Sequence, residues 1–131
     1  MNEIKNRQAL LTLRPAIPTI LEANATNAAE QFQNTILRPI LKFQNPLLLA
    51  LMRSYFTKRK NTFYQLAANK RVDYIEQSIR KDLKFKHLLM GIVIGHFTLE
   101  EYERYVQDEK ELSKRLTNLL VERFCRQVEL F

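Results

Sequence analysis

Glycine and proline are scarce in this sequence: two glycines and four prolines occur among 131 residues. A β-sheet protein of this length needs a tight turn every few residues, and such turns depend on glycine and proline. Their scarcity therefore argues against a β fold. It favours an all-α protein, a compact bundle of five or six helices.

The sequence also contains only one cysteine and no long apolar run. Cys125 is the only cysteine, so an internal disulfide is excluded, and a reducing compartment is expected. The first seven residues lack the apolar run of a signal peptide. The most apolar stretches, residues 47–52 and 88–94, are far shorter than the ~20 residues that a bilayer requires. The sequence thus predicts a soluble cytoplasmic protein with no membrane partner.

Two prolines mark an N-terminal arm. Pro15 and Pro18 each push the preceding residue toward extended geometry, so we expect residues 10–24 to be non-helical. The arm also contains apolar residues, which indicate that it lies on the bundle: Leu11, Leu13, Ile17, Ile20 and Leu21. The chain is accordingly divided into an extended arm, residues 1–26, packed on a single helical domain, residues 27–131.

Capping residues mark where helices begin. Asn27 and Thr98 each precede a glutamate by three residues, which is the capping-box spacing, so helices should start directly after them. Pro39 falls inside the first apolar helical pattern and should bend that helix. Asn45 and Pro46 are typical of an N-cap followed by proline at the first helical position. They predict either a new helix or a continuation past a kink.

Gly91 and Gly95 are the only glycines, and they are four residues apart in an apolar helical segment. No strand precedes them and no third glycine follows, so a nucleotide-binding loop is excluded. We expect this spacing to let two helix backbones approach closely, with Gly95 also serving the turn that follows.

Positive charge is concentrated in one quarter of the chain. From Arg53 to Lys86 there are ten basic and three acidic residues, a net charge of +7, whereas the remainder has 11 of each. A localised excess tends to form one positive surface and favours an anionic partner. The residues that we expect to contact this partner are Lys58, Arg59, Lys60, Lys70, Arg71, Lys81, Lys84 and Lys86.

Two classes of anionic partner remain open. A nucleic acid would gain from basic residues on its phosphates and from aromatic rings stacked on unpaired bases. Rings interleave with the basic residues here: Tyr55, Phe56, Phe63, Tyr64, Tyr74 and Phe85. Helical spacing predicts that several of them are core, however, and no nucleic-acid-binding motif is present. The alternative is an acidic protein. Residues 100–111, with six acids against two bases, would also permit a homo-oligomer, so a structural subunit of a larger assembly or a homodimer is a further alternative.

Candidates for catalysis are few. His96 with Glu100 or Glu101 is the best local metal-ligand pair, but the helix start at Thr98 separates the histidine from both glutamates. Cys125 has no neighbouring base to activate it. The sequence therefore predicts no catalytic residue, no metal and no cofactor. An enzyme or small-ligand binder with a pocket between helices is the alternative, with polar groups from Tyr64, Tyr74, Tyr102, Tyr105, His87 or His96.

Three sequence segments resemble those of a known family: EQFQN at residues 30–34, LRPILK at 37–42 and GIVIGHFTLEEY at 91–102. Over roughly residues 28–131 the chain resembles a family of small all-helical bacterial proteins without an assigned activity. Members of that family often carry a glyoxalase label, so the resemblance implies a glyoxalase as the enzymatic alternative. The common metal-dependent glyoxalases are βαβββ modules with His and Glu ligands on strands, and this sequence predicts neither.

Overall fold

Helices account for nearly all of the computed structural model, which describes residues 2–15 and 27–131, and no strand occurs in those ranges. The predicted all-α fold is confirmed. The helices are α1 (Asn2–Gln8), α2 (Ala28–Phe32), α3 (Arg38–Lys58), α4 (Thr62–Gln65), α5 (Ala68–Lys81), α6 (Leu83–Ile94), α7 (Leu99–Gln107) and α8 (Glu109–Arg126). Short 3₁₀ helices follow α1 (Ala9–Leu13) and α8 (Val128–Leu130). None of the described helices is both long and apolar enough to cross a membrane.

One continuous helical run, residues 28–58, contains α2, a π-helical segment (Gln33–Leu37) and α3. It starts as predicted, because the Asn27 side chain accepts a hydrogen bond of 2.7 Å from the backbone N–H of Glu30. The π-helical segment ends two residues before Pro39, which has no backbone N–H to donate a hydrogen bond to the preceding turn. The run continues through Pro46. Asn45 is therefore not an N-cap, and the interpretation as a helix start was wrong.

α8 lies at the centre of the bundle and contacts α3, α5, α6 and α7. Its inner residues recur every three or four positions and are almost completely buried: Leu112, Leu116, Leu120 and Phe124. This spacing places one apolar stripe of α8 against the surrounding helices. Because the apolar stripe faces the core, the charged residues of α8 that are described below lie on its outer side.

The described part of the arm is helical up to Leu13. Residues 2–13 form α1 and its 3₁₀ extension, whereas the sequence analysis expected extended backbone from residue 10. Pro15 restricts only its predecessor: Arg14, at φ −78° and ψ 127°, is the first extended residue. Arg7 and Arg14 donate hydrogen bonds to the connection between α6 and α7, so this part of the arm lies on the bundle. Pro18 and its neighbours fall outside the described residues.

The prediction for the glycines was wrong at Gly91. Gly91 is exposed, and no described atom lies within 4 Å of the position that a Cβ would occupy there. A Cβ on Gly95 would lie 3.1 Å from the Gly91 carbonyl oxygen, within the same helix end. The spacing therefore does not bring two described helices together at Gly91.

Candidate anion-binding surfaces

The end of α3 meets the junction of α5 and α6 through Asp82. The Asp82 carboxylate accepts hydrogen bonds from the Arg59 guanidinium, from the Tyr55 hydroxyl at 3.0 Å and from the backbone N–H of Phe85 at 3.1 Å. The Phe85 N–H is the largest influence and lowers the pKa of Asp82. Burial opposes this effect, but Tyr55 and Arg59 act in the same direction as the Phe85 N–H, and the net result is a lowered pKa. Asp82 is therefore an ionised anchor that caps α6 and fixes α3 against it.

Four lysines lie within two residues of Arg59 or Asp82 in sequence, and we call them the lysine corner: Lys58, Lys60, Lys81 and Lys84. Lys58 and Lys60 flank Arg59 in sequence, Lys81 directly precedes Asp82, and Lys84 follows Asp82 by two residues. All four are exposed, and none lies within 4 Å of a carboxylate in the described part of the chain. Because Arg59 and Asp82 neutralise each other, the excess charge of this corner comes from the lysines.

The other predicted contact residues lie elsewhere. Lys70 is exposed on the first turn of α5, about 16 Å along the helix from Lys81 at a rise of about 1.5 Å per residue. Arg71 donates to the backbone carbonyls of Tyr64 and Leu66, at 3.1 and 3.2 Å, and thereby closes the connection between α4 and α5. Lys86 is half-buried beside a groove between α6 and α7. The eight predicted residues thus do not form one uniform surface.

Most of the aromatic rings near the lysine corner are buried or partly buried. Phe56 and Phe63 are fully buried and stacked, with ring centroids 3.9 Å apart, and Tyr55 stacks on Phe85 at 4.0 Å. Tyr64, at 40% exposure, is the most accessible of the six rings that the sequence analysis considered. Base stacking on this surface is therefore not supported by the position of these rings.

The turn that carries Lys60 has left-handed backbone at two residues, Lys60 (φ 61°) and Asn61 (φ 57°). Asparagine adopts this conformation at little cost, whereas lysine adopts it only with backbone strain. We expect Lys60→Gly to raise the free energy of unfolding by about 1 kcal/mol, because glycine adopts positive φ without strain. Urea denaturation of Lys60→Gly against Lys60→Ala measures this effect at equal charge, and equal stability of the two variants would contradict it.

The histidine and glutamate that the sequence analysis weighed as metal ligands are both engaged. The carboxylate of Glu101 binds Arg14 through two hydrogen bonds of 2.6 Å, and Nε2 of His96 lies 3.2 Å from the carbonyl oxygen of Leu10. Burial, followed by the charge of Arg14, lowers the pKa of His96. No group of three or more His, Cys, Asp or Glu that could hold a metal occurs in the residues described.

Cys125 is partly buried on α8, with its Sγ 3.8 Å from the Val72 carbonyl oxygen. Burial raises the pKa of its thiol, and the charge of Glu76 acts in the same direction. Both effects oppose the thiolate, the form that reacts as a nucleophile.

Only three of the six polar residues that were expected to line an interhelical pocket lie in the same recess. His87, Tyr102 and Tyr105 line the groove between α6 and α7, a recess of about 450 Å³ that also includes Lys86 and Glu109. The remaining three, Tyr64, Tyr74 and His96, are not among the residues that line it. This groove carries mixed charge and therefore favours no single class of ligand.

A second cationic site was missed by the sequence analysis. Arg38 of α3 with Arg123 and Arg126 of α8 line a pocket of about 190 Å³, which we call the arginine pocket. Arg38 and Arg123 are far apart in sequence, so a charge count along the chain could not find them together. The available signal was the three-residue spacing of Arg123 and Arg126, which places both on one side of a helix.

The lysine corner and the arginine pocket differ in kind. Exposed ammonium groups on flexible stems suit a large polyanion, whereas planar guanidinium groups in a recess suit a small oxyanion with directed oxygens. No protein-family model, curated protein or solved structure matches the chain. These two cationic surfaces are therefore the features that carry a functional argument.

Proposed function

We propose that this chain is a non-catalytic interaction module of the cytoplasm that binds an anionic macromolecule through the lysine corner. The observation that carries the proposal is the Arg59–Asp82 ion pair, which joins two segments bearing four exposed lysines that have no carboxylate partner within residues 2–15 and 27–131. Such a surface attracts anions and speeds their association. The single cysteine is consistent with a reducing compartment.

The chemistry of the corner indicates how the partner is recognised. Lysine acts as a hydrated point charge and lacks the forked geometry of arginine, so it contacts negative charge with little shape selection. The buried rings provide no platform for unpaired bases. Both points favour recognition of charge alone, as presented by a nucleic-acid backbone or by the acidic surface of a protein.

The quadruple variant Lys58→Gln, Lys60→Gln, Lys81→Gln and Lys84→Gln tests the corner. If the lysines contact four phosphates, wild-type affinity for duplex DNA should fall on the order of 100-fold between 50 and 200 mM salt. In the variant this salt dependence should largely disappear. Fluorescence anisotropy with labelled DNA, RNA and a poly-glutamate peptide measures the affinity and ranks the classes of partner.

A matched control removes the same charge elsewhere through Lys5→Gln, Lys42→Gln, Lys110→Gln and Lys114→Gln, all at exposed positions. The proposal requires this control to bind much more tightly than the corner variant. Equal losses in the two variants would show that net charge alone governs binding and would refute a specific corner. Affinity purification from the native cell, with and without nuclease, then separates protein partners from nucleic acid.

A further inference from the structure

The arginine pocket lies between α3 and α8, on the outer side of the bundle. Its remaining lining residues are Leu41, Leu119, Glu122 and Gln127, so a hydrophobic floor underlies a polar rim. Leu41 is 1% and Leu119 is 6% exposed, which shows that the floor belongs to the core. The pocket is therefore built on two packed helices and does not depend on a loop.

Neutral amides hold two of its arginines. Arg38 donates through Nε to the Asn34 side chain at 3.1 Å, and Arg123 donates through Nη1 to the Asn45 side chain at 3.3 Å. Asn45 is itself fixed by a reciprocal pair of 2.8 Å hydrogen bonds with Gln127. These bonds orient the guanidinium groups without placing a carboxylate in direct contact with Arg38 or Arg123 among the described residues. Such preorganised donors suit a ligand with several acceptor oxygens.

The charge of the pocket is positive and concentrated. Three arginines and one glutamate line it, a formal charge of +2, and Glu122 is bound to Arg126 at 2.7 Å. Arg38 and Arg123 have no carboxylate within 4 Å among the described residues. Burial is the main cause of a lowered pKa of Arg123. The charges of Arg38 and Arg126 act in the same direction and Glu122 opposes them, so the neighbouring arginines repel one another. A bound anion would relieve this repulsion.

We propose that the arginine pocket binds the phosphate group of a small molecule. A phosphate monoester carries a charge of about −1.5 to −2 near neutral pH, which matches the formal charge of the pocket better than a single carboxylate does. A volume of about 190 Å³ is smaller than the roughly 300–1,000 Å³ of pockets that enclose drug-sized ligands. The pocket accordingly admits the phosphate and a few further atoms.

An adjoining groove can hold the part of the ligand that extends beyond its phosphate group. It shares Arg38, Leu119 and Glu122 with the pocket and continues along α8 past Lys114 and Arg115. Arg115 is bound to Glu111 and Gln33, so Lys114 is the exposed cation of this groove. A ligand with a second negative group would place that group near Lys114.

Titration of the ¹⁵N-labelled full chain with inorganic phosphate, with glycerol 3-phosphate and with phosphatidic acid vesicles tests the proposal. Saturable shifts of the amides around Arg38, Arg123 and Gln127 are expected with both soluble ligands, and chloride at equal ionic strength should not produce them. Binding to the vesicles alone would overturn the assignment to a small molecule. If none of the three ligands showed saturable binding, the assignment of the arginine pocket as a phosphate site would be overturned.

Arg123→Gln and Arg38→Gln should each weaken phosphate binding at least about tenfold, because each removes a charged hydrogen-bond donor. Two variants are used so that a folding defect in one, visible by circular dichroism, leaves the other as the test. Wild-type affinity in the folded variants would refute the proposal. The lysine-corner variant is the control and should bind phosphate normally, so the arginine pocket and the lysine corner are tested independently.

Discussion

Replacing Glu101 with glutamine should lower the free energy of unfolding by about 3 kcal/mol, because it leaves the charge of Arg14 buried without its partner. The two side chains are only 7% and 10% exposed, and they are joined by two hydrogen bonds of 2.6 Å. Glu101 also accepts a 2.9 Å hydrogen bond from the backbone N–H of Thr98. One substitution therefore disturbs both the arm contact and the cap of α7.

Urea denaturation of Glu101→Gln measures this loss, with Glu100→Gln as the matched control at the exposed neighbouring position. The control should change stability by less than about 0.5 kcal/mol. Arg14→Met and the double variant complete a cycle that isolates the coupling between the two side chains. A loss below about 1 kcal/mol in Glu101→Gln would contradict a structural role for the pair.

The pH dependence of the same variant is a second readout. Burial alone would raise the pKa of Glu101, but the hydrogen bonds from Arg14 and from the backbone of Thr98 outweigh it and lower the pKa. The stability contributed by the ionised carboxylate is therefore complete above the unfolded value, about 4.3, and is lost as the pH falls through the lower folded value. Below about pH 4.3 the wild type should lose this part of its stability, whereas Glu101→Gln has none of it to lose.

Short sequence motifs predicted the helix caps, but they could not predict contacts between residues far apart in the sequence. The caps at Asn27 and Thr98 bond a residue three positions away, so a short stretch of sequence contains both partners. Arg14 and Glu101 lie 87 positions apart, and no periodicity links them. The reason for their pairing is tertiary, because the arm places Arg14 beside the start of α7.

The cationic surfaces illustrate the same limit. A charge count located the quarter of the chain that contains the lysine corner, because its four lysines lie within it. The count could not show that Arg59 would bind Asp82 or that Arg71 would bind backbone carbonyls. Arginine readily forms hydrogen bonds within the protein, because its guanidinium presents several donors in a fixed geometry. Only the folded structure shows which arginines remain available to bind a partner.

Phe56→Ala should be the most destabilising substitution near the lysine corner, with a loss of about 4 kcal/mol in the free energy of unfolding. Phe56 is fully buried at the centre of an aromatic cluster, stacked on Phe63 and edge-on to Phe131. Its carbonyl oxygen also accepts a 3.0 Å hydrogen bond from the backbone N–H of Asn61, which closes the turn that carries Lys60. The cluster therefore supports the backbone on which the corner is built.

Urea denaturation measures the loss in Phe56→Ala, with Phe56→Leu as a volume-sparing comparison and Tyr64→Ala as a control at an accessible ring of the same cluster. Phe56→Leu should retain much of the stability, because it leaves a smaller cavity than alanine. If the corner depends on this cluster, the folded fraction of Phe56→Ala should also bind polyanions more weakly than Tyr64→Ala does. Wild-type affinity in folded Phe56→Ala would show that the lysines act without a fixed scaffold, since flexible charges would then suffice for binding.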